Sequence, residues 1–129
     1  MDIAFAIDIP EIPADWTKEK TFIKKLITDY LKVGATEVHV AVLTYGIRSA
    51  TIVFNLTRYS DESEIKYAID QIPYVASGNA DVTYALNTLS QTIFRVHKGL
   101  RLSLFLGLNG TIIRVNYIPR DVRGIEFFS

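Results

Sequence analysis

The sequence predicts an α/β layered fold: a mostly parallel sheet carrying one antiparallel hairpin strand. Three observations predict it. Residues 3–7 (IAFAI) and 102–106 (LSLFL) are nearly continuous apolar runs of strand length, the mark of strands buried on both faces. Between the strand-like runs lie longer stretches whose apolar residues recur at helical spacing. Residues 46–49 join two strand-like runs by so short a connection that the two must pair antiparallel.

The elements follow in order. The first strand, 3–7, ends at Asp8, and Pro10 and Pro13 make 8–13 a loop. Asp15 is placed to cap a helix over 16–32 whose apolar stripe is Phe22, Ile23, Leu26, Ile27, Tyr30 and Leu31, with Gly34 closing it in a left-handed conformation. Residues 38–45 and 50–54 form the hairpin pair. Ser60 is placed to cap a second helix that buries Ile65, Ala68, Ile69 and Ile72 and stops at Pro73. Residues 77–81 turn into a third helix over 82–96, with the stripe Val82, Ala85, Leu86, Leu89, Ile93 and Val96, ended by His97, Lys98 and Gly99. A strand follows at 102–106, then a turn at Asn109-Gly110. Residues 111–118 are a further strand or an extended loop, 120–123 a short helical turn, and 125–128 a last strand.

Composition narrows the function. The 129 residues carry 14 Lys+Arg and 14 Asp+Glu, a net charge of zero, and 49% are apolar. That describes one cored domain over 1–129, without linker or repeat. Interspersed signs give no field to attract phosphates, so nucleic acid is not an expected partner. No apolar run reaches the roughly 18–20 residues of a membrane span. There is no Cys, hence no disulfide, thiolate zinc site or Cys nucleophile. Neither a phosphate-loop pattern nor a G-x-S-x-G elbow occurs. His39 lies mid-strand and His97 at a helix end, without zinc-site spacing; both read as structural. Asn55-Leu56-Thr57 and Asn109-Gly110-Thr111 match the N-glycosylation pattern and hint at a secretory route.

Local patterns in order carry a family resemblance. They are Ile3-Ala4-Phe5-Ala6-Ile7-Asp8, Val40-Ala41-Val42-Leu43-Thr44-Tyr45-Gly46, Phe54-Asn55-Leu56 before Tyr59-Ser60-Asp61, Ala68-Ile69-Asp70-Gln71-Ile72-Pro73-Tyr74, Gly78-Asn79-Ala80-Asp81-Val82-Thr83-Tyr84-Ala85-Leu86, and Arg123-Gly124-Ile125-Glu126-Phe127-Phe128. Over nearly the whole chain the sequence resembles a von Willebrand factor type A domain. The resemblance implies a Rossmann-like sheet with helices on both faces, and protein recognition at the carboxyl ends of the strands, often through Mg²⁺. It also implies an extracellular location. The family's closing helix and strand elements have no counterpart after residue 128, so the fold is expected to be C-terminally shortened, and the immediate start on a strand suggests a chain cut at a domain edge.

The family's metal site uses an Asp-x-Ser-x-Ser loop, a Thr and a second Asp. By resemblance these fall on Asp8, Pro10, Ile12, Ala80 and Asn109, and only Asp8 keeps a strong oxygen ligand. A metal-ion-dependent adhesion site is therefore expected to be degenerate: no cofactor is expected, and Mg²⁺ at most weakly at Asp8. Glu11 and Asp81 sit in the same loops as an alternative oxygen pair. The expected function is a non-enzymatic protein-binding or adhesion module, largely metal-independent. It would use Asp8, Pro10, Glu11 and Ile12, then Asn79, Ala80 and Asp81, then Asn109. The alternative is an extracellular-matrix assembly module acting through the sheet edge and helix faces, including self-association at an incomplete edge.

Overall fold

The computed structural model describes residues 2–34, 38–78 and 80–93, and the strand backbone at 101–106, 112–118 and 126–128. The strands are β1 (Asp2–Ile7), β2 (His39–Tyr45), β3 (Ala50–Phe54), β4 (Arg101–Leu106), β5 (Ile112–Ile118) and β6 (Glu126–Phe128). They form one sheet in the order β3-β2-β1-β4-β5-β6. β1 pairs in parallel with β2 and β4, so the continuous apolar run occupies the middle of the sheet. The 46–49 connection makes β2 and β3 antiparallel, as its length requires. β5 is a strand rather than an extended loop, antiparallel to β4 and to β6. Thus β1, β2, β4 and β6 run one way, and β5 joins β3 as a second antiparallel strand.

Helices cover both faces. α1 (Pro13–Tyr30) and α2 (Glu62–Asp70) pack on one side; α3 (Val82–Thr88), continuing into a π-helical turn at Leu89–Ile93, packs on the other. α1 starts earlier than its Asp15 signal suggests. Ile12 is the N-cap with no side-chain bond, and Pro13 opens the helix, where its missing N–H costs nothing and its fixed φ is already helical. Asp15 instead sits in the first turn. The helix stops at Tyr30 with extended Leu31 as its cap, so Gly34 does not close it; Tyr30 is 78% exposed and leaves the buried stripe. Asp61, not Ser60, caps α2, its carboxylate accepting from the Ser63 N–H at 2.6 Å. Asp81 caps α3 in the same way, accepting from Thr83 N–H at 2.9 Å. The Val96–Gly99 end of the third helix, the Asn109-Gly110 turn and the 120–123 turn lie outside the described residues.

Alternation along β1 divides the core. Ile3, Phe5 and Ile7 face α1 and α2, where they meet Ile23, Ile27, Ile65 and Ile69. Ala4 and Ala6 face α3 with Ala41, Ala85 and Leu89, and their small side chains let that helix lie close to the sheet. Phe5 is fully buried in the larger layer. Phe5→Ala is expected to cost about 3–5 kcal/mol, read as a lower urea midpoint with an unchanged slope.

Candidate functional site

The carboxyl end of the sheet is built where β1 releases the chain at Asp8. In register, Ile7 lies beside Thr44 of β2 and Leu106 of β4, so the carboxyl ends of all three strands lie together here. Two hydrogen bonds clamp the first loop to the segment before α3. The Ile9 N–H donates to Ser77 Oγ at 2.8 Å, and the Ser77 N–H donates to the Ile9 carbonyl at 2.9 Å. The Tyr74 hydroxyl donates to the Pro10 carbonyl at 2.9 Å and also reaches that of Glu11. The Asp81 N–H donates to the Gly46 carbonyl at 2.9 Å, tying the β2–β3 turn to the start of α3. Gly78 takes φ 66°, a left-handed backbone that suits glycine.

Asp8, Pro10, Glu11 and Ile12 come together with Asp15 and Gly78 around a cavity of about 270 Å³. Ala80 does not line it; it packs against the α3-side core. Nor does Asp81, whose carboxylate is occupied as the α3 cap and is held below the usual carboxylate range by the Thr83 backbone N–H. Glu11 and Asp81 therefore do not line one cavity. Asn79 and Asn109 lie outside the described residues. A second, larger cavity of about 520 Å³ shares Ile9 and runs along Ile47, Val53, Ile72, Val75 and Ser77. Ile12, Ile47 and Val75 are 59%, 55% and 69% exposed. Trp16, by contrast, is buried in the core.

Glu19 is the residue the sequence reading missed. It is 0% exposed, and neither carboxyl oxygen has a hydrogen-bond partner. Burial pushes its pKa up to about 8, and the Asp8 charge adds to the rise. Burial also raises Asp8, against a lowering hydrogen bond from the Ser77 hydroxyl. The signal was in the helical period. The buried face of α1 is Trp16, Glu19, Ile23 and Ile27, so stepping back four residues from Ile27 and Ile23 lands on a glutamate in a core position.

These residues do not fit the metal that the resemblance implies. Pro10, Ile12 and Ala80 bring no side-chain oxygen, and the carbonyls of Pro10 and Glu11 already accept from Tyr74. Among the described residues, no three of His, Cys, Asp and Glu approach closely enough to share one ion. His39 sits at the other end of β1, its Nδ1 3.0 Å from Asp2 Oδ1.

The von Willebrand factor type A domain matches residues 2–109. The chain belongs to this family. Among its relatives, matrilin-3 of Mus musculus is 35% identical over 103 residues, 78% of this chain and 21% of that protein. Matrilin-3 of Homo sapiens is 32% identical over the same share. The chain thus spans about a fifth of the length of the curated relatives it matches. Proximal thread matrix protein 1 of the mussel byssus superposes with a TM-score of 0.69 and 28% identity, over 82% of this chain and 28% of that one. Another structure of the mussel protein, 26% identical with a TM-score of 0.69 and covering the same shares, is described with a zinc-occupied MIDAS motif.

In this type A domain the buried glutamate sets a pH dependence. Unfolded, Glu19 loses its proton near the ordinary 4.5; folded, near 8. Between those values the folded state holds the extra proton, so stability is full below the lower value and falls as pH rises through the higher one. Urea unfolding at about pH 5 and about pH 9 is expected to show this decline, and Glu19→Gln to flatten it. Glu19→Leu is expected to stabilise the domain by on the order of 1–3 kcal/mol at neutral pH, because it removes a buried polar group without partners.

Proposed function

We propose that this chain is a single non-enzymatic recognition module of the extracellular matrix, binding a protein ligand through the loops at the carboxyl end of its sheet without a bridging metal. The observation that carries the reading is the exposure of Ile12, Ile47 and Val75 around two adjoining cavities at that end. Apolar side chains held out on a clamped loop framework are what a protein interface needs at its centre. Asp8 and Glu11 supply polar groups among them; by resemblance Asn79, Ala80, Asp81 and Asn109 would add to the same surface. Similarity to a byssus matrix protein and to matrilin-3 supports the matrix setting and a secreted location.

The second reading, assembly with further copies of the chain, is favoured by one feature. β3 is an edge strand with Thr51 exposed, and an unpaired strand edge accepts another strand. The two readings separate by mutation. Binding of the purified chain to immobilised matrix proteins is expected to fall about tenfold or more for Ile47→Ser or Val75→Ser, and to be unchanged by a chelator. Tyr67→Ser, an exposed position on α2, is expected to leave binding intact. Loop variants that bind like wild type, with Thr51→Pro abolishing sedimentation as a dimer, would replace the loop reading by the edge reading.

A metal-independent site also predicts the thermal response. Low-millimolar Mg²⁺ is expected to leave the melting temperature unchanged, whereas a rise of several degrees would show a metal bound to the folded state.

A further inference from the structure

The loop-face reading leaves one sequence motif without a role. Asn55-Leu56-Thr57 has the pattern of an N-glycosylation acceptor, with leucine rather than proline between the two polar residues. The pattern is short, so the fold around it decides. Asn55 and Thr57 are exposed, whereas Leu56 between them is buried in the core layer of Ala41, Leu43 and Leu89. The chain is thus pinned by its middle residue, and the acceptor amide and the hydroxyl flank it in water. The segment is also a turn. The Arg58 N–H donates to the Asn55 carbonyl at 3.2 Å and closes residues 55–58. An exposed turn has room for a bulky, solubilising group.

The place of this turn in the sheet gives such a group something to do. Asn55 directly follows Phe54, the last residue of β3, and β3 ends the sheet. Natural sheets blunt a free edge with charged side chains, proline or a covering element. β3 reads Ala-Thr-Ile-Val-Phe, with neither a charge nor a proline, and three of its five residues are β-branched. The zero net charge of the chain adds no repulsion between copies. The edge therefore lacks the guards that sequence can supply.

The same geometry keeps the turn away from the recognition face. β3 runs antiparallel to β2, with Ala50 beside Tyr45 and Phe54 beside Val42. Four steps of strand, roughly 14 Å, separate Ala50 from Phe54. Ile47 precedes β3 at the carboxyl end of the parallel strands, and Asn55 leaves it toward their amino end.

We propose that Asn55 is an N-glycosylation site whose oligosaccharide guards the free edge of β3 and leaves the loop face open. The inference rests on the secreted location of the proposed function, since that route carries the glycosyl donor, an oligosaccharide on a polyprenyl diphosphate. Asn55 Nδ2 attacks the anomeric carbon of that donor. The new nitrogen–carbon bond forms as the bond from that carbon to the diphosphate oxygen breaks. The lipid diphosphate leaves with the electron pair, and the amide gives up one proton.

The test is to express the whole chain behind a secretion leader in glycosylating cells, with Asn109→Gln so that Asn55 is the acceptor pattern that remains. The secreted chain is expected to carry a mass increment that peptide-N-glycosidase removes, leaving aspartate at position 55. Asn55→Gln and Thr57→Ala are each expected to abolish the increment, and Thr57→Ser to keep it. The glycosylated chain is expected to sediment as a monomer. The Asn55→Gln chain at equal concentration is expected to self-associate, and Thr51→Pro to reverse this. Binding to immobilised matrix proteins is expected to be the same before and after glycan removal. A secreted chain with Asn55 unmodified would overturn the inference. So would an increment that survives Thr57→Ala, sedimentation that is the same with and without the glycan, or matrix binding that changes on its removal. Failure here is distinguishable from failure of the loop-face reading. A bare Asn55 in a chain whose binding still falls with Ile47→Ser removes only the glycan, and a glycosylated chain indifferent to Ile47→Ser removes only the loop face.

Discussion

Burial of β1 on both faces is the constraint from which the rest of the molecule follows. A strand with Ile3, Phe5 and Ile7 on one side and Ala4 and Ala6 on the other has no face to give to water. It must lie between parallel neighbours and beneath helices on both sides. β2 and β4 supply the neighbours, α1 and α2 cover the larger side chains, and α3 approaches the alanines. Because the three strands run in parallel, their carboxyl ends lie together. The apolar run also stops abruptly at Asp8, so the same residue that ends the core begins the site. Fold and site thus share one boundary, and the hydrogen bonds of Ile9 with Ser77 hold it closed.

The balance of charge at that boundary gives this domain its individual character. A strand end that points a carboxylate into a loop usually needs a counter-charge. Here Pro10 and Ile12 stand where hydroxyl-bearing residues would have helped to hold a metal, and the carbonyls between them are occupied by Tyr74. In addition there is a further carboxyl group, in the core. Glu19 takes a core position of α1 and keeps its proton because neither water nor a partner offsets ionisation. The domain accepts an unsatisfied carboxyl in its interior. Stability is given up there, because a buried polar group without partners costs free energy.

Much of the fold was legible in the sequence, and the reasons are physical. Continuous apolar runs located β1 and β4, the short 46–49 link dictated the antiparallel β2–β3 pair, and stripes of isoleucine located α1 and α2. Boundaries were less legible where two signals competed. Pro13 outranks Asp15 as the start of α1, because a helix-ready φ needs no side-chain cap. Asp61 outranks Ser60 because its carboxylate reaches the Ser63 N–H. The residues 111–118 were rich enough in β-branched side chains for a strand, but their pairing with β4 and β6 is non-local and invisible to pattern. In the site, the loop beginning at Asp8 was legible through the resemblance. Glu19 was not, since a charged residue in a helix is ordinarily assigned to solvent and only the period of its neighbours puts it inside.

The claim at the centre of this account is that the loop face rests on a buried, uncompensated carboxyl rather than on a metal. The most direct measurement is the ¹³C chemical shift of the Glu19 carboxyl followed through a pH titration of the folded chain without added metal. A midpoint near 8 is the result this account requires. A midpoint near the ordinary 4.5 would contradict it, because it would mean that Glu19 is solvated or already paired with a cation.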